Sequence, residues 1–233
     1  MSEQIQSCVI CGGNSFVSKK VLWASLVEEW ELSPDEVQWI DRQQGTHCRD
    51  CGCNLRSLAL AKAVMSAANY QGIFKRYLRS PKAWTKRVLE INEAGTLSPY
   101  LNRLPRRTLA SYPQIDMQRL AYPNSHFDFV LHSDTLEHIP DPLVGLKECL
   151  RVLRPGGWCC FTIPIIPGRM TRSREGLRPS FHGSISTRSS DFQVQTEYGS
   201  DCWEQVMQAG FEECRIVSAE YPSALALAAR RSN

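Results

Sequence analysis

The chain has 233 residues, 42% of them apolar, and a formal net charge of only +3. This length suits one ordinary domain plus a small module, with enough apolar residues to build a core. The charge balance lacks the dense basic run that a nucleic-acid partner calls for. No apolar run approaches the roughly 20 residues that span a bilayer, and the N-terminus has no signal-peptide pattern, so the ten cysteines read as reduced thiols of a cytoplasmic protein.

Residues 1–53 read as a metal-binding module. Two Cys-x-x-Cys pairs, Cys8/Cys11 and Cys48/Cys51, supply four thiolates to one tetrahedral ion, for which Zn²⁺ is the expected occupant. Each pair adjoins glycine, which allows the tight turn that aims backbone N–H groups at sulfur. His47 and Cys53 lie close enough to replace a ligand. Four thiolates leave no open position, so the ion is a structural staple for a segment too small to form its own core. Between the pairs, Trp23, Trp30 and Trp39 are expected in a core, and Ser33-Pro34-Asp35-Glu36 starts a helix with a serine cap, an early proline and acids at the positive dipole end. Residues 54–79 carry an apolar stripe (Leu55, Leu58, Ala59, Met65, Ala68) and read as one helix, ended at Ser80-Pro81. The segment 54–83 is thus a helical connector or cap for residues 84–233.

From Arg87 onward strands and helices alternate. Val88–Ile91, Arg107–Ala110, Phe127–His132 and Trp158–Ile163 are strands, the second of them weak. Asp141-Pro142 starts a helix with Leu143, Leu146, Cys149, Leu150 and Leu153 on its apolar face, and Pro155-Gly156-Gly157 stops it. A polar loop runs from Pro164 to about Glu197. Asp201 is expected to cap a helix through Ala209, and Phe211–Glu220 pairs with Ala224–Ala229 as a closing hairpin. Cys149, Cys159, Cys160, Cys202 and Cys214 fall within apolar patterns and behave as small hydrophobes. Such alternation predicts an α/β fold with a parallel sheet and ligands at the carboxyl ends of its strands.

Residues 127–157 read FDFVLHSDTLEHIPDPLVGLKECLRVLRPGG. The order FD-x-V, LEH-x-x-D-P and LRPGG resembles class I S-adenosylmethionine-dependent methyltransferases. The likeness extends from about Arg87 to the C-terminus and leaves the cysteine pairs outside. It implies a Rossmann-like methyltransferase sheet, here trimmed by one helix–strand crossover because the interval from Glu90 to Asp116 is short. It implies S-adenosylmethionine as cofactor, approached by the turn after the first strand. Glu90 and Gly95 match that turn, and Asn92 and Glu93 replace its earlier glycines. Asp116, followed by Met117, matches the acid that binds the adenine amine. The acid that grips the ribose has no counterpart, Ser111 being nearest. His132, Ser133 and Asp134 occupy the donor-facing position at the end of the fourth family strand.

Methyl transfer from a sulfonium needs positioning above all, and a general base where the acceptor is a hydroxyl. His138, in the LEH turn, and His182, in the long loop, are the candidate catalytic residues. The loop Pro164–Glu197, His138 and the N-terminal segment are expected to form the acceptor pocket, with Arg169, Arg172, Arg174 and Arg178 gripping an anionic acceptor. The resulting expectation is methyl transfer to a small-molecule or sugar acceptor, without nucleic acid or membrane. The alternatives are a catalytically inactive binding or scaffold protein, and a methyltransferase whose zinc module recruits a macromolecular substrate.

Overall fold

A six-stranded sheet organises the computed structural model, which describes residues 5–181 and 190–233. Its strands are β1 (Val88–Ile91), β2 (Arg107–Ala110), β3 (Phe127–Ser133), β4 (Leu153–Thr162), β5 (Glu213–Glu220) and β6 (Ala224–Arg230), in the spatial order β2-β1-β3-β4-β6-β5. The first four are parallel, and β6 lies antiparallel between β4 and β5. β1 and most of β3 are buried on both faces, which is why they read as continuous apolar runs. Between Ile91 and Arg107 stand only the turn Gly95–Leu97 and the one-turn helix Ser98–Leu101, and between Ala110 and Phe127 only the turn Met117–Arg119. The trimmed sheet is therefore real, and β2 forms its edge, with Leu109 exposed.

Three longer helices pack around the sheet: α1 (Pro34–Gly45), α2 (Leu55–Ala67) and α3 (Pro142–Val152). Ser33 and Glu36 form a reciprocal capping box at the start of α1, the Glu36 carboxylate accepting the Ser33 N–H at 2.7 Å. Asn54 caps α2 by accepting the Ser57 N–H at 3.0 Å, and Asp141 caps α3 by accepting that of Val144 at 3.0 Å. Side chains alternate across the strands. On one face Phe129, Leu131, Trp158 and Cys160 pack with α2, Cys8, Ile10 and Cys48. On the other Val130, Cys159 and Phe161 pack with Leu146 and Cys149 of α3. A third cluster joins Leu26, Trp30 and Leu32 to Ile166 and Val194, so Trp30 serves a core, while Trp23 packs partly buried against the same group. No helix among the described residues is long and apolar enough to cross a membrane.

Three local expectations are corrected. The helix read over 54–79 ends at Ala67, because Asn69 and Gly72 adopt left-handed backbone (φ 48° and 126°), and two one-turn helices follow at Phe74–Tyr77 and Pro81–Trp84. Pro155-Gly156-Gly157 does not separate helix from strand but bulges within β4, where Leu153 pairs with Phe127 and Trp158 with Phe129. Pro155 has no N–H to pair and Gly156 is left-handed (φ 70°), so the intervening residues spill out of register. Asp201 does not cap the helix Trp203–Gln208; its carboxylate accepts the Thr171 N–H at 2.7 Å.

Candidate active site and cysteine cluster

A hollow of about 760 Å³ opens where β1, β2 and β3 end, lined there by Asn92 and Glu93, by Ser111, and by Asp134. Asp116, His138, Phe192 and Gln193 are among its other lining residues. Three of the lining residues, Asn92, Glu93 and Asp134, have left-handed backbone (φ 55°, 49° and 46°). Non-glycine residues in this region cost of order 1–3 kcal/mol each and persist where their surroundings fix them. Here the fixing bonds are visible. Asn92 donates its N–H to Ala110 O at 2.9 Å, and its side-chain oxygen accepts the Tyr112 N–H at 2.8 Å. Glu90 accepts the Ala94 N–H at 2.7 Å. The turn is thus held left-handed at Asn92 and Glu93, with the Asn92 carboxamide tied to Tyr112 just beyond β2.

The sequence-expected site residues divide into two sets. Asn92, Glu93, Asp116, Asp134 and His138 line the hollow; Glu90, Gly95, Met117, His132 and Ser133 do not. Glu90 is fully buried, spending its second oxygen on Arg107 Nε at 2.5 Å, and so anchors the turn from below. Met117 is buried beside Gly145 of α3. Gly95 ends the turn with left-handed backbone (φ 52°) beside Arg56. His132 points to the opposite face of β3, stacked on Phe161 with ring centroids 4.6 Å apart, and the Ser133 hydroxyl bonds that of Thr162 at 2.7 Å. His182 lies outside the described residues.

His138 lies between the Gln193 carbonyl and the buried Glu137 carboxyl, whose Oε1 stands 3.8 Å from its Nε2. Its Nδ1 stands 3.0 Å from Gln193 O, an acceptor only, so Nδ1 carries the proton and Nε2 the lone pair. Burial lowers its pKa, against the pull of the Gln193 carbonyl, which keeps the imidazole in its basic neutral form near pH 7. Sequence reasoning missed Arg56. From the first turn of α2 its guanidinium pairs with Asp134, and Gln44 Nε2 reaches the same carboxylate at 3.5 Å. Burial draws Arg56 down to about 10, opposed by Glu137, and pushes the Glu137 carboxyl up to about 8. The one available signal was an arginine in the first turn of a largely apolar helix.

Three of the four arginines expected to grip an anion pair with carboxylates of the protein. Arg169 forks onto Glu36 at 2.5 and 2.7 Å. Arg172 pairs with Glu197 at 2.6 Å, and the buried Arg174 pairs with the same carboxylate. Among the described residues no lysine or arginine lines the hollow, whereas Glu93, Asp116, Asp134 and Asp191 do. Asp134 is charge-paired with Arg56, and carboxylates such as these accept hydrogen bonds from hydroxyl and amine groups.

The four Cys-x-x-Cys sulfurs lie within 4.8 Å of one another, with Cys8–Cys51 and Cys11–Cys48 at 3.6 Å. Gly12 and Gly52 supply the left-handed turns (φ 87° and 73°), and the Gly13 N–H donates to Cys11 Sγ at 3.4 Å. The two alternative ligands are occupied otherwise: Cys53 Sγ faces Thr96 O at 3.3 Å and His47 Nδ1 faces Gly45 O at 3.0 Å.

Residues 71–161 match a methyltransferase domain family. Ubiquinone biosynthesis O-methyltransferase of Pseudomonas putida is 29% identical over 136 residues, covering 57% of this chain and 51% of its own. The enzyme of the same name from Paracidovorax citrulli is 30% identical over 148 residues, covering 60% and 56%. The chain spans about half the length of these curated relatives. A solved S-adenosylmethionine-dependent methyltransferase of Thermotoga maritima superposes with a TM-score of 0.44 at 14% identity, over 89% of this chain and 97% of its own.

Proposed function

We propose, for a chain whose α/β domain belongs to the class I S-adenosylmethionine-dependent methyltransferase family, methyl transfer from that donor to a hydroxyl of a small molecule, a sugar among the candidates. The observation that carries this reading is the hollow at the carboxyl ends of β1, β2 and β3, lined by Glu93, Asp116, Asp134 and Asp191 and, among the described residues, by no lysine or arginine. The bound donor supplies a methyl group already activated by its sulfonium. On this reading Asp116 would accept from an adenine amine and the turn Asn92–Gly95 would cradle the methionyl part. Ser111 offers a hydroxyl to the ribose where the family has an acid. His138 Nε2 would accept the proton of the acceptor hydroxyl. Hydroxyl methylation is also what the relatives' name describes. The paired arginines give no support to an anionic acceptor.

The cysteine cluster would hold structural zinc through Cys8, Cys11, Cys48 and Cys51. Zn–S bonds of about 2.3 Å give a tetrahedron with sulfur–sulfur edges of about 3.8 Å, and the cluster fits that size. With four thiolates the ion takes no part in the chemistry.

Calorimetry with S-adenosylmethionine and with its demethylated product tests the donor site. Both are expected to bind, and Asp116→Ala is expected to weaken them by about 1–3 kcal/mol through a lost hydrogen bond. No heat from either ligand at millimolar concentration would leave the binding or scaffold role in its place.

A further inference from the structure

Cys51, one of the clustered thiols, is joined to the donor-binding turn by a short chain of hydrogen bonds. Gly95, the last left-handed residue of that turn, is followed at once by Thr96. The Thr96 hydroxyl accepts the Asn54 N–H at 3.2 Å and shares a 2.7 Å hydrogen bond with the Ser57 hydroxyl. Its carbonyl accepts from Cys53 Sγ at 3.3 Å. One helical turn later, the Tyr100 hydroxyl donates to Cys51 O at 3.0 Å. The loop that makes these contacts is closed on itself, since the Cys48 N–H donates to Cys53 O and the Gly52 N–H to Cys48 O, both at 2.9 Å. The upstream limb of the donor turn is held by Glu90 and by the bonds of Asn92 to β2. Its downstream limb is held by the cysteine loop.

We infer that the metal-bound cysteine loop holds the donor-binding turn in its binding shape, with Thr96 as the positioning residue between them; this rests on the donor and zinc sites proposed above. Glu93 sits in a backbone region that only its surroundings enforce. Thiolate–metal bonds fix Cys48 and Cys51, these fix residues 52–54, and Cys53 and Asn54 fix Thr96 next to Gly95. A ligand that needs the shaped turn therefore favours the metal-bound loop, and by linkage each site strengthens the other by the same factor.

Reciprocity supplies a readout independent of turnover. In the full-length protein, the zinc dissociation constant is measured by equilibrium competition with a colour-forming chelator, with and without saturating demethylated product. The product is expected to tighten zinc binding by about fivefold or more. Thr96→Val keeps the side-chain shape but loses the hydroxyl; it is expected to retain zinc and still bind product more weakly, with the tightening abolished. Tyr100→Phe, which removes only the bond to Cys51 O, is expected to reduce the tightening and serves if Thr96→Val does not fold. A zinc affinity that ignores bound product in the wild type overturns the inference, as does tightening that persists undiminished in both variants. Elemental analysis and calorimetry on the same samples separate the causes. A protein that holds no zinc or binds no product overturns the sites themselves and the coupling with them, whereas failure with both present overturns the coupling alone.

Discussion

His132 has no exposure, and neither ring nitrogen has a hydrogen-bond partner among the described residues. Burial drives its pKa from 6.5 to about 3. Between those values the unfolded chain binds a proton that the folded chain refuses, so stability is present above pH 6.5 and falls as the pH drops toward 3. Each pH unit inside the window is worth up to about 1.4 kcal/mol. His132→Leu, which keeps an apolar group against Phe161, is expected to remove that slope. The wild type should lose about 2 kcal/mol more than the variant between pH 7 and pH 5; equal losses in denaturant titrations at the two values would contradict the buried neutral ring. The residue also shows where sequence reading stops. The period of two in β3 puts Val130 and His132 on one face, but nothing in the sequence says that this face meets α3 and not the hollow. Asn92, Glu93, Asp116, Asp134 and His138 were reached through the family resemblance of the motifs around them, and the structure brings these five to one hollow. Arg56 was not legible, since it reaches Asp134 from a helix remote in sequence.

Glu36 ties two elements that the sequence presents as unrelated. It closes the capping box of α1 and also holds Arg169 of the segment after β4, whose guanidinium further donates to Trp30 O at 2.9 Å and Glu31 O at 2.7 Å. The Arg169 hydrogen bonds draw the Glu36 carboxyl down to about 2. A depressed carboxyl contributes stability above its unfolded value near 4.5 and loses it as the pH falls through about 2. Glu36→Gln can still cap α1 but cannot pair with Arg169 as an ion, and at pH 7 it is expected to destabilise by about 1–3 kcal/mol. Guanidinium titration measures this, and an unchanged midpoint would refute the latch. Elements with a local cause were readable from the sequence: the proline-led starts of α1 and α3, and the strands β1 and β3 with their dense apolar runs. Elements decided by a partner were not. The Pro155-Gly156-Gly157 bulge depends on pairing with Phe127 and Phe129, and Asp201 turns from its own helix to Thr171.

At the scale of the whole chain, the cysteine cluster is built into the core of the sheet. Cys8, Ile10 and Cys48 belong to one apolar cluster with Leu58 of α2, Phe129 of β3 and Trp158 of β4. α2 lies on β4, β5 and β6, and the Arg42 guanidinium of α1 pairs with Glu220 at the end of β5. The composition change near residue 53 therefore marks a change of chemistry, while burial runs across it without a gap. The proposed zinc would contribute directly to folding free energy, and in a shared core that contribution would be felt by the sheet as well as by the loops that hold the four thiols. Removing zinc with a chelator, or replacing Cys8 by Ser, is expected to lower the melting temperature of one cooperative transition. The expected drop is about 10 °C or more, at about 2–4 °C per kcal/mol for a chain of this size. Calorimetric scans of the metal-loaded and metal-depleted full-length protein measure it, with near-ultraviolet dichroism of the tryptophans as a second probe. Two separated transitions, the later one unmoved by zinc, would show that the cluster and the sheet unfold independently and that their common apolar cluster does not couple them.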